Sequence, residues 1–338
     1  MQFLQIGLGS MGKRRIRNLL ANGVPVKHIA AFDVSPERCA AAQAEYHIAT
    51  HADFETAVKV TQPDAYLVST PPHLHAPYFL HAARAKAHLF VEVGTSDDGF
   101  AELVAHEQVL ASKPRGTWQV LAPSCTYRSF TPIKQIKQLI EQGEVGQVIA
   151  FTHHMGQYLP DWHPWEDYRK FYVSRPESSA CREMVVFELQ WLTWLIGASV
   201  KVATGFSGHV TSLEMTADDV VVTALQAANG VLGTLMIDVA ARAPVRALRI
   251  LGTEGTLEWD WQARKVRIFR AQTKKWEIVR FPAEKRRRGY LTSTENMYNE
   301  EIKNYLTAIK NHQKYPYSFA EEWANLRVLK MIDHASDV

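Results

Sequence analysis

The sequence predicts an α/β protein, with a doubly wound parallel sheet in its first third and a β-rich α+β domain after it. Three observations predict this. A short apolar run, Phe3 to Ile6, passes through Gly7, Gly9 and Gly12 into a helical pattern beginning near Met11. Strand-length apolar runs and helix-length segments then alternate as far as Ala122, the pattern of repeated βα units with parallel strands. Beyond Val202 the chain turns to alternating strands joined by glycine-containing turns.

The run before Gly7 suits a strand buried on both faces. In the spacing G-x-G-x-x-G, Gly7 allows a tight strand-to-helix turn and Gly9 lets a pyrophosphate approach bare backbone. Gly12 lets the helix pack closely on the strand. The amides of Ser10 and Met11 lie at the positive end of that helix and face the phosphates. A second run, His28 to Phe32, ends in Asp33, 21 residues after Gly12. A dinucleotide-binding unit places an acid there for the adenosine ribose hydroxyls. A carboxylate repels a 2′-phosphate, which favours NAD, while Arg38 nearby leaves room for NADP.

Ser35 is placed to cap a helix over Pro36–Tyr46. A strand follows at Ile48–Thr50, a helix at Asp53–Val60 and a buried strand at Ala65–Thr70, halted by Pro71-Pro72. His75–Lys86 is helical, His88–Val93 a strand, Phe100–Ser112 a helix and Trp118–Leu121 a strand. Ligands of such sheets sit beyond the carboxyl ends of the strands. The candidate rim is therefore Thr70-Pro71-Pro72, Glu92-Val93-Gly94 and Pro123-Ser124. The first domain spans 1–122 and the second 123–338.

The chain's 338 residues allow two domains with real cores. A net charge of +3 is too small to argue for a nucleic-acid partner, and the densest basic run, Lys285 to Arg288, reads as a solvated loop. Cys39, Cys125 and Cys181 form neither a disulfide framework nor a paired metal spacing, which suits a reducing cytoplasm. No signal peptide precedes the first strand, and no apolar stretch reaches the ~20 residues of a membrane helix. Neighbours on a strand point to opposite faces, so His153-His154 argues for no metal.

In the second domain Phe130–Gln142 is an amphipathic helix and a strand starts at Gln147. The segment Gly156 to Arg169 sets Tyr158, Trp162, Trp165 and Tyr168 among Asp161, His163 and Arg169. Such rings stack on sugar faces while the polar groups bond hydroxyls, and His163 and Tyr168 are the segment's candidate acid/bases. Asn229-Gly230 marks a hairpin between Val220–Gln226 and Val231–Val239. Further strands at Leu248–Leu251, Thr256–Trp259 and Lys265–Phe269 imply one broad sheet with a helix-covered face. Helices at Glu295–Asn311 and Phe319–His334 close the chain, with Ser318 and Glu321 forming a capping box. The C-terminal helices, 295–335, are counted with the second domain, with packing back on the first domain as the alternative.

The G-x-G-x-x-G start, the turn Ser69-Thr70-Pro71-Pro72-x-x-His75 and the glutamate Glu92 ending strand five resemble the glucose–fructose oxidoreductase/inositol dehydrogenase (Gfo/Idh/MocA) family, over essentially the whole chain. The resemblance implies a Rossmann domain followed by an α+β domain with a large, mostly antiparallel sheet. It implies NAD(P), with Thr70, Pro71, His75 and Glu92 joining the glycines and Asp33 around the cofactor. It also implies a homodimer or homotetramer built through the uncovered sheet face. The activity it implies is an oxidoreductase acting on a sugar, cyclitol or nucleotide-sugar derivative. The aromatic segment resembles members attached to surface-polysaccharide and unusual-sugar pathways.

Two motifs depart from the family. Glu-Lys-Pro is here Glu92-Val93-Gly94, and a valine transfers no proton. The second motif's helix carries Glu183 at the aspartate position, Phe187 at the histidine position and Gln190 at a further aspartate. Positions 183 and 187 share a helix face, so the frame of a site is kept without its titrating histidine. The candidate proton-handling residues are Glu92, Glu183, His163 and Tyr168. Two alternatives stand beside the oxidoreductase. One is a silent relative that binds cofactor and sugar, and the other uses NAD as a transient oxidant in an elimination, hydrolysis or epimerisation.

Overall fold

A computed structural model describes residues 1–112, 118–162, 164, 166–280 and 294–336. His163, Trp165 and the basic run from Lys285 to Arg288 lie outside the described residues. The chain divides into two compact units, Met1–Cys125 with Tyr298–Trp323, and Thr126–Met297 with Ala324–Val338.

The first unit opens with β1 (Phe3–Ile6), α1 (Ser10–Ala21), β2 (Ile29–Phe32), α2 (Pro36–Tyr46), β3 (Ala49–His51) and α3 (Phe54–Thr61). It continues with β4 (Ala65–Val68), α4 (Ala76–Arg84), β5 (His88–Val91), α5 (Phe100–Ala111) and β6 (Leu121–Pro123). The strands form one sheet in the order β3-β2-β1-β4-β5-β6, every neighbouring pair parallel. It is the doubly wound sheet expected from the alternation. The chain winds outward from β1 in both directions, which opens the crevice at the carboxyl ends of β1 and β4.

All four residues of β1, β2 and β4 are buried, as strands covered on both faces must be. Local signals set the helix starts. Ser35 accepts from the Arg38 amide at 3.2 Å and Asp53 from the Thr56 amide at 2.8 Å. The last strand is Leu121–Pro123 rather than the predicted Trp118–Leu121, and Gln119 just before it donates its side-chain amide to the Ala87 carbonyl. Tyr305, Ile309 and Tyr317 join Phe3, Ile16, Leu19 and Phe90 in one apolar cluster of this unit, each buried aliphatic side chain contributing about 1.5–3 kcal/mol.

The second unit holds α6 (Thr131–Glu141), β7 (Val148–Gly156), α7 (Ala180–Ile196), β8 (Val200–Gly208), β9 (Val220–Ala227) and β10 (Leu232–Asp238). The strands β11 (Val245–Gly252), β12 (Gly255–Asp260), β13 (Lys265–Arg270) and β14 (Lys275–Arg280) follow. These eight strands form a sheet in the order β14-β13-β12-β11-β7-β10-β9-β8. Its pairs are antiparallel except β7 with β10. Strict alternation, clearest along β9, sends one face to α6 and α7 and leaves the other outward. Gly230 takes φ +89° in the β9–β10 turn, the conformation an Asn-Gly hairpin requires. His153 faces inward and is buried, while its neighbour His154 lies on the outward face.

Two helices end the chain, α8 (Glu295–Lys310) and α9 (Phe319–Ser336). The capping box of α9 is formed: Glu321 accepts from the Ser318 amide at 2.9 Å and returns its own amide to Ser318 Oγ at 3.1 Å. Among the described residues no helix is long and apolar enough to cross a membrane.

Candidate active site: a nucleotide cradle and the helix face of Glu183

The glycine turn of the first unit is built by close approach. Gly7 has φ +87°, its amide donates to the Phe32 carbonyl at 2.8 Å, and a Cβ there would lie 2.7 Å from the Ser69 carbonyl oxygen. A Cβ on Gly12 would fall 1.8 Å from the Gly7 carbonyl oxygen. A Cβ on Gly9 would meet nothing within 4 Å. Two of the glycines are therefore demanded by the protein's own backbone, and the third faces open space. Gly9 is the N-cap of α1 and no side chain caps that helix. Ser10 and Met11 form its first turn, where amide groups favour an anion.

Asp33 is oriented by the same turn. Its Oδ2 accepts from the Leu8 amide at 2.7 Å and its Oδ1 from the Ser35 amide at 2.9 Å, with the residue 5% exposed. Arg38 Nη1 stands 3.7 Å from Oδ2 on a largely exposed side chain. At the end of β4, Thr70 Oγ1 is buried without a hydrogen-bond partner. The Thr70 carbonyl takes His75 Nε2 at 2.8 Å. A carbonyl only accepts, so Nε2 carries the proton. Burial pushes the His75 pKa down to about 4, against the opposing pull of the Thr70 carbonyl and Glu92, so the ring is neutral at pH 7. Pro71 leads a 3₁₀ turn, Pro72–Leu74, into α4.

Glu92 lies just past β5. Its Oε1 accepts from Arg15 Nε at 2.5 Å and its Oε2 from Arg15 Nη2 at 3.0 Å. Arg15 is fully buried on α1 and also pairs with Glu301 at 2.8 Å. Its guanidinium lies over the Phe90 ring at 4.6 Å. Burial opposes that charge, but Glu92 and Glu301 outweigh it and hold Arg15 above the ordinary arginine range. Arg15 carries no motif signal, because its partner is 77 residues away.

In the second unit, Ser179 is the N-cap of α7 and Glu183 sits in its first turn. Glu183 Oε2 accepts from the Tyr172 hydroxyl at 3.2 Å. Phe187, four residues on, sets its ring edge-on to Tyr127 at 5.4 Å. Gln190 is buried, and its carbonyl accepts from Arg128 Nε at 2.8 Å. Tyr168 uses its hydroxyl oxygen to accept the Glu214 amide at 3.1 Å. Glu183 is thus brought together with Tyr172, which sequence reasoning missed, and Tyr168 with the β8–β9 connection. Deeper in α7, Glu188 is fully buried and accepts from His153 at 2.7 Å, Trp191 at 3.0 Å and Arg246 at 2.8 Å. Burial works against this anion, but Arg246 and these donors hold it below the usual carboxylate range.

Residues 1–95 match the NAD-binding Rossmann fold of an oxidoreductase family, and residues 133–258 match the GFO/IDH/MocA C-terminal domain. The chain belongs to the Gfo/Idh/MocA family. Its cofactor domain is an NAD-binding Rossmann fold. Levoglucosan dehydrogenase of Pseudarthrobacter phenanthrenivorans is 24% identical over 307 residues, covering 78% of this chain and 75% of that protein. The 2,7-anhydro-N-acetylneuraminate hydratase of Escherichia coli is 25% identical over 240 residues, 68% of this chain and 61% of its own length. A structure of levoglucosan dehydrogenase with NADH and levoglucosan superposes with a TM-score of 0.79 at 18% identity, covering 100% of this chain and 97% of that one. Val93 is buried, and Phe187 packs its ring on Tyr127.

Proposed function

We propose that the protein is an NAD-dependent dehydrogenase of a sugar-like polyhydroxy compound. The observation that carries this reading is the glycine turn: Gly7 and Gly12 are locked by backbone, whereas Gly9 opens onto space beside an acid already oriented for a ribose. In this reading the first-turn amides of α1, Ser10 and Met11 included, hold the diphosphate, and Asp33 accepts from the ribose hydroxyls. Thr70 and Pro71 form the rim, with the partnerless Thr70 Oγ1 available to the cofactor. His75 supports that rim through the Thr70 carbonyl, and Glu92 stands in the grip of Arg15 beside it. NAD, when bound, supplies the hydride acceptor. Glu183 and the aromatic segment holding Tyr168 belong to the substrate side.

Relatives named for levoglucosan and for 2,7-anhydro-N-acetylneuraminate support a ring-constrained sugar derivative as the substrate class. The outward sheet face carries Phe206, 78% exposed, with Val222 and Leu232. We assign it to pairing with a second copy, because an apolar patch of this kind marks an interface. Three buried free cysteines support a reducing compartment.

The test is a calorimetric titration with NAD and with NADP, followed by NADH formation over levoglucosan, myo-inositol and 2,7-anhydro-N-acetylneuraminate. Tighter binding of NAD and absorbance growth with at least one compound are expected. Absence of cofactor binding sinks the reading. A second reading, NAD as a transient oxidant, is favoured by the hydratase relative and by Val93. Consumption of substrate without net NADH would select it.

A further inference from the structure

We propose that Gln5 is a positioning residue of the cofactor cradle: its side-chain amide holds the Gly7 carbonyl and so keeps the first-turn amides of α1 aimed at the diphosphate. The inference rests on the reading of the glycine turn as that cradle, and it adds a residue that lies outside the G-x-G-x-x-G spacing.

Gln5 breaks the pattern of its own strand. Phe3, Leu4 and Ile6 are apolar and buried, and Gln5 among them is 0% exposed, whereas parallel strands covered on both faces are filled with apolar residues. Its Oε1 is buried with no hydrogen-bond partner among the described residues. A buried acceptor left without a donor lowers stability, so an aliphatic residue would suit the strand better. A local rule broken with no gain in packing points to a function for the polar group.

That function lies at the NH₂ end of the side chain. Gln5 Nε2 donates to the Ile6 carbonyl at 3.1 Å and to the Gly7 carbonyl at 3.2 Å. Carbonyls only accept, so the NH₂ is the group on this side. The Ile6 carbonyl already receives the Ser69 amide at 2.8 Å. The Gly7 carbonyl points at α1, since a Cβ on Gly12 would fall 1.8 Å from its oxygen and 3.2 Å from Gln5 Nε2. Gly12 thus makes room for the Gln5 amide as well as for the turn.

The first intrahelical bond of α1 runs from the Lys13 amide to the Gly9 carbonyl at 3.0 Å, so the amides of Met11 and Gly12 precede the ladder. No side chain caps the helix and no acid stands in its first turn. These amides are what an anion meets at a helix start. A buried Gly7 carbonyl lacking its Gln5 donor would draw on the same amides, tilting them inward and away from the diphosphate. Gln5 satisfies that oxygen from the strand side and leaves the amides to the ligand.

The experiment uses the full chain. Gln5→Met keeps the reach of the side chain but donates nothing, and Gln5→Leu repeats the change with a branched side chain. In both, calorimetry should show NAD affinity lower by about tenfold. Affinity for ADP-ribose, which keeps the diphosphate, should fall by the same factor. The melting temperature should stay level or rise, because the orphaned Oε1 is gone. A second readout needs no cofactor. Gly7-Leu8 is the one Gly-Leu pair in the chain, so glycine carbonyl-¹³C with leucine-¹⁵N labelling reports the Gly7 carbonyl alone. Its ¹³C resonance should move upfield in Gln5→Met, and an unmoved resonance overturns the contact. Native NAD affinity in both variants, or an affinity that falls only together with the melting temperature, overturns the positioning role while leaving the cradle standing. A native chain that binds neither NAD nor ADP-ribose overturns both.

Discussion

The motif-bearing regions of the two units are built from different materials. The first uses backbone: amides of α1, the Gly7 turn and the Thr70 carbonyl. The second uses side chains: Glu183, Tyr172 and, beneath them, the closed network of Glu188, Arg246, His153, Trp191 and Tyr127. A backbone site tolerates few substitutions, because its geometry comes from which positions lack a Cβ. A side-chain site can be rewritten while its helix stays in place.

The sharpest break of the side-chain half is Glu188→Ala. It leaves the buried Arg246 without its carboxylate and His153 Nε2 and Trp191 Nε1 without an acceptor. Removing one partner of a buried pair costs about 3–5 kcal/mol, to be read from urea unfolding at pH 7. A loss under about 1 kcal/mol would mean that apolar packing alone holds α7 on the sheet. Next in size is the pH response of the backbone half. Unfolded, His75 takes a proton near its ordinary 6.5, but folded it does so only at about 4. Proton binding therefore favours the unfolded chain as pH falls through this window, while above pH 6.5 His75 has no effect. The native protein should lose about 3 kcal/mol more than His75→Gln between pH 7 and pH 4. Parallel stability curves for the two proteins would show that the ring is not sealed in the Thr70 turn.

The same division governs what could be read from the sequence. The glycine turn, Asp33, the Asn229-Gly230 hairpin and the Ser318–Glu321 box were legible because each is a local pattern whose physics is complete within a few residues. The doubly wound sheet followed from alternation alone. What stayed hidden depends on partners brought together by topology. Arg15 looks like any helix cation until Glu92 arrives from β5 and Glu301 from α8. Tyr172 is unremarked in its segment, where Tyr168 has equal chemistry, until the 3₁₀ turns put its hydroxyl on Glu183. The parallel pairing of β7 with β10, inside an otherwise antiparallel sheet, has no local signal either.

The smallest effect discriminates best, because it compares two residues of one motif. Gly12→Ala forces a Cβ against the Gly7 carbonyl, a backbone neighbour that cannot swing aside. Overpacking of this kind costs about 1–3 kcal/mol and should weaken NAD binding by distorting the turn. Gly9→Ala adds the same methyl where the protein has nothing within 4 Å. Its stability should stay within about 0.5 kcal/mol of native, yet NAD affinity should fall about tenfold, about 1.4 kcal/mol, if the diphosphate occupies that space. Thermal melts and calorimetry on the pair separate the two roles. A Gly9→Ala protein that binds NAD as tightly as the native chain would place the nucleotide elsewhere, and the backbone half of the comparison would fail with it.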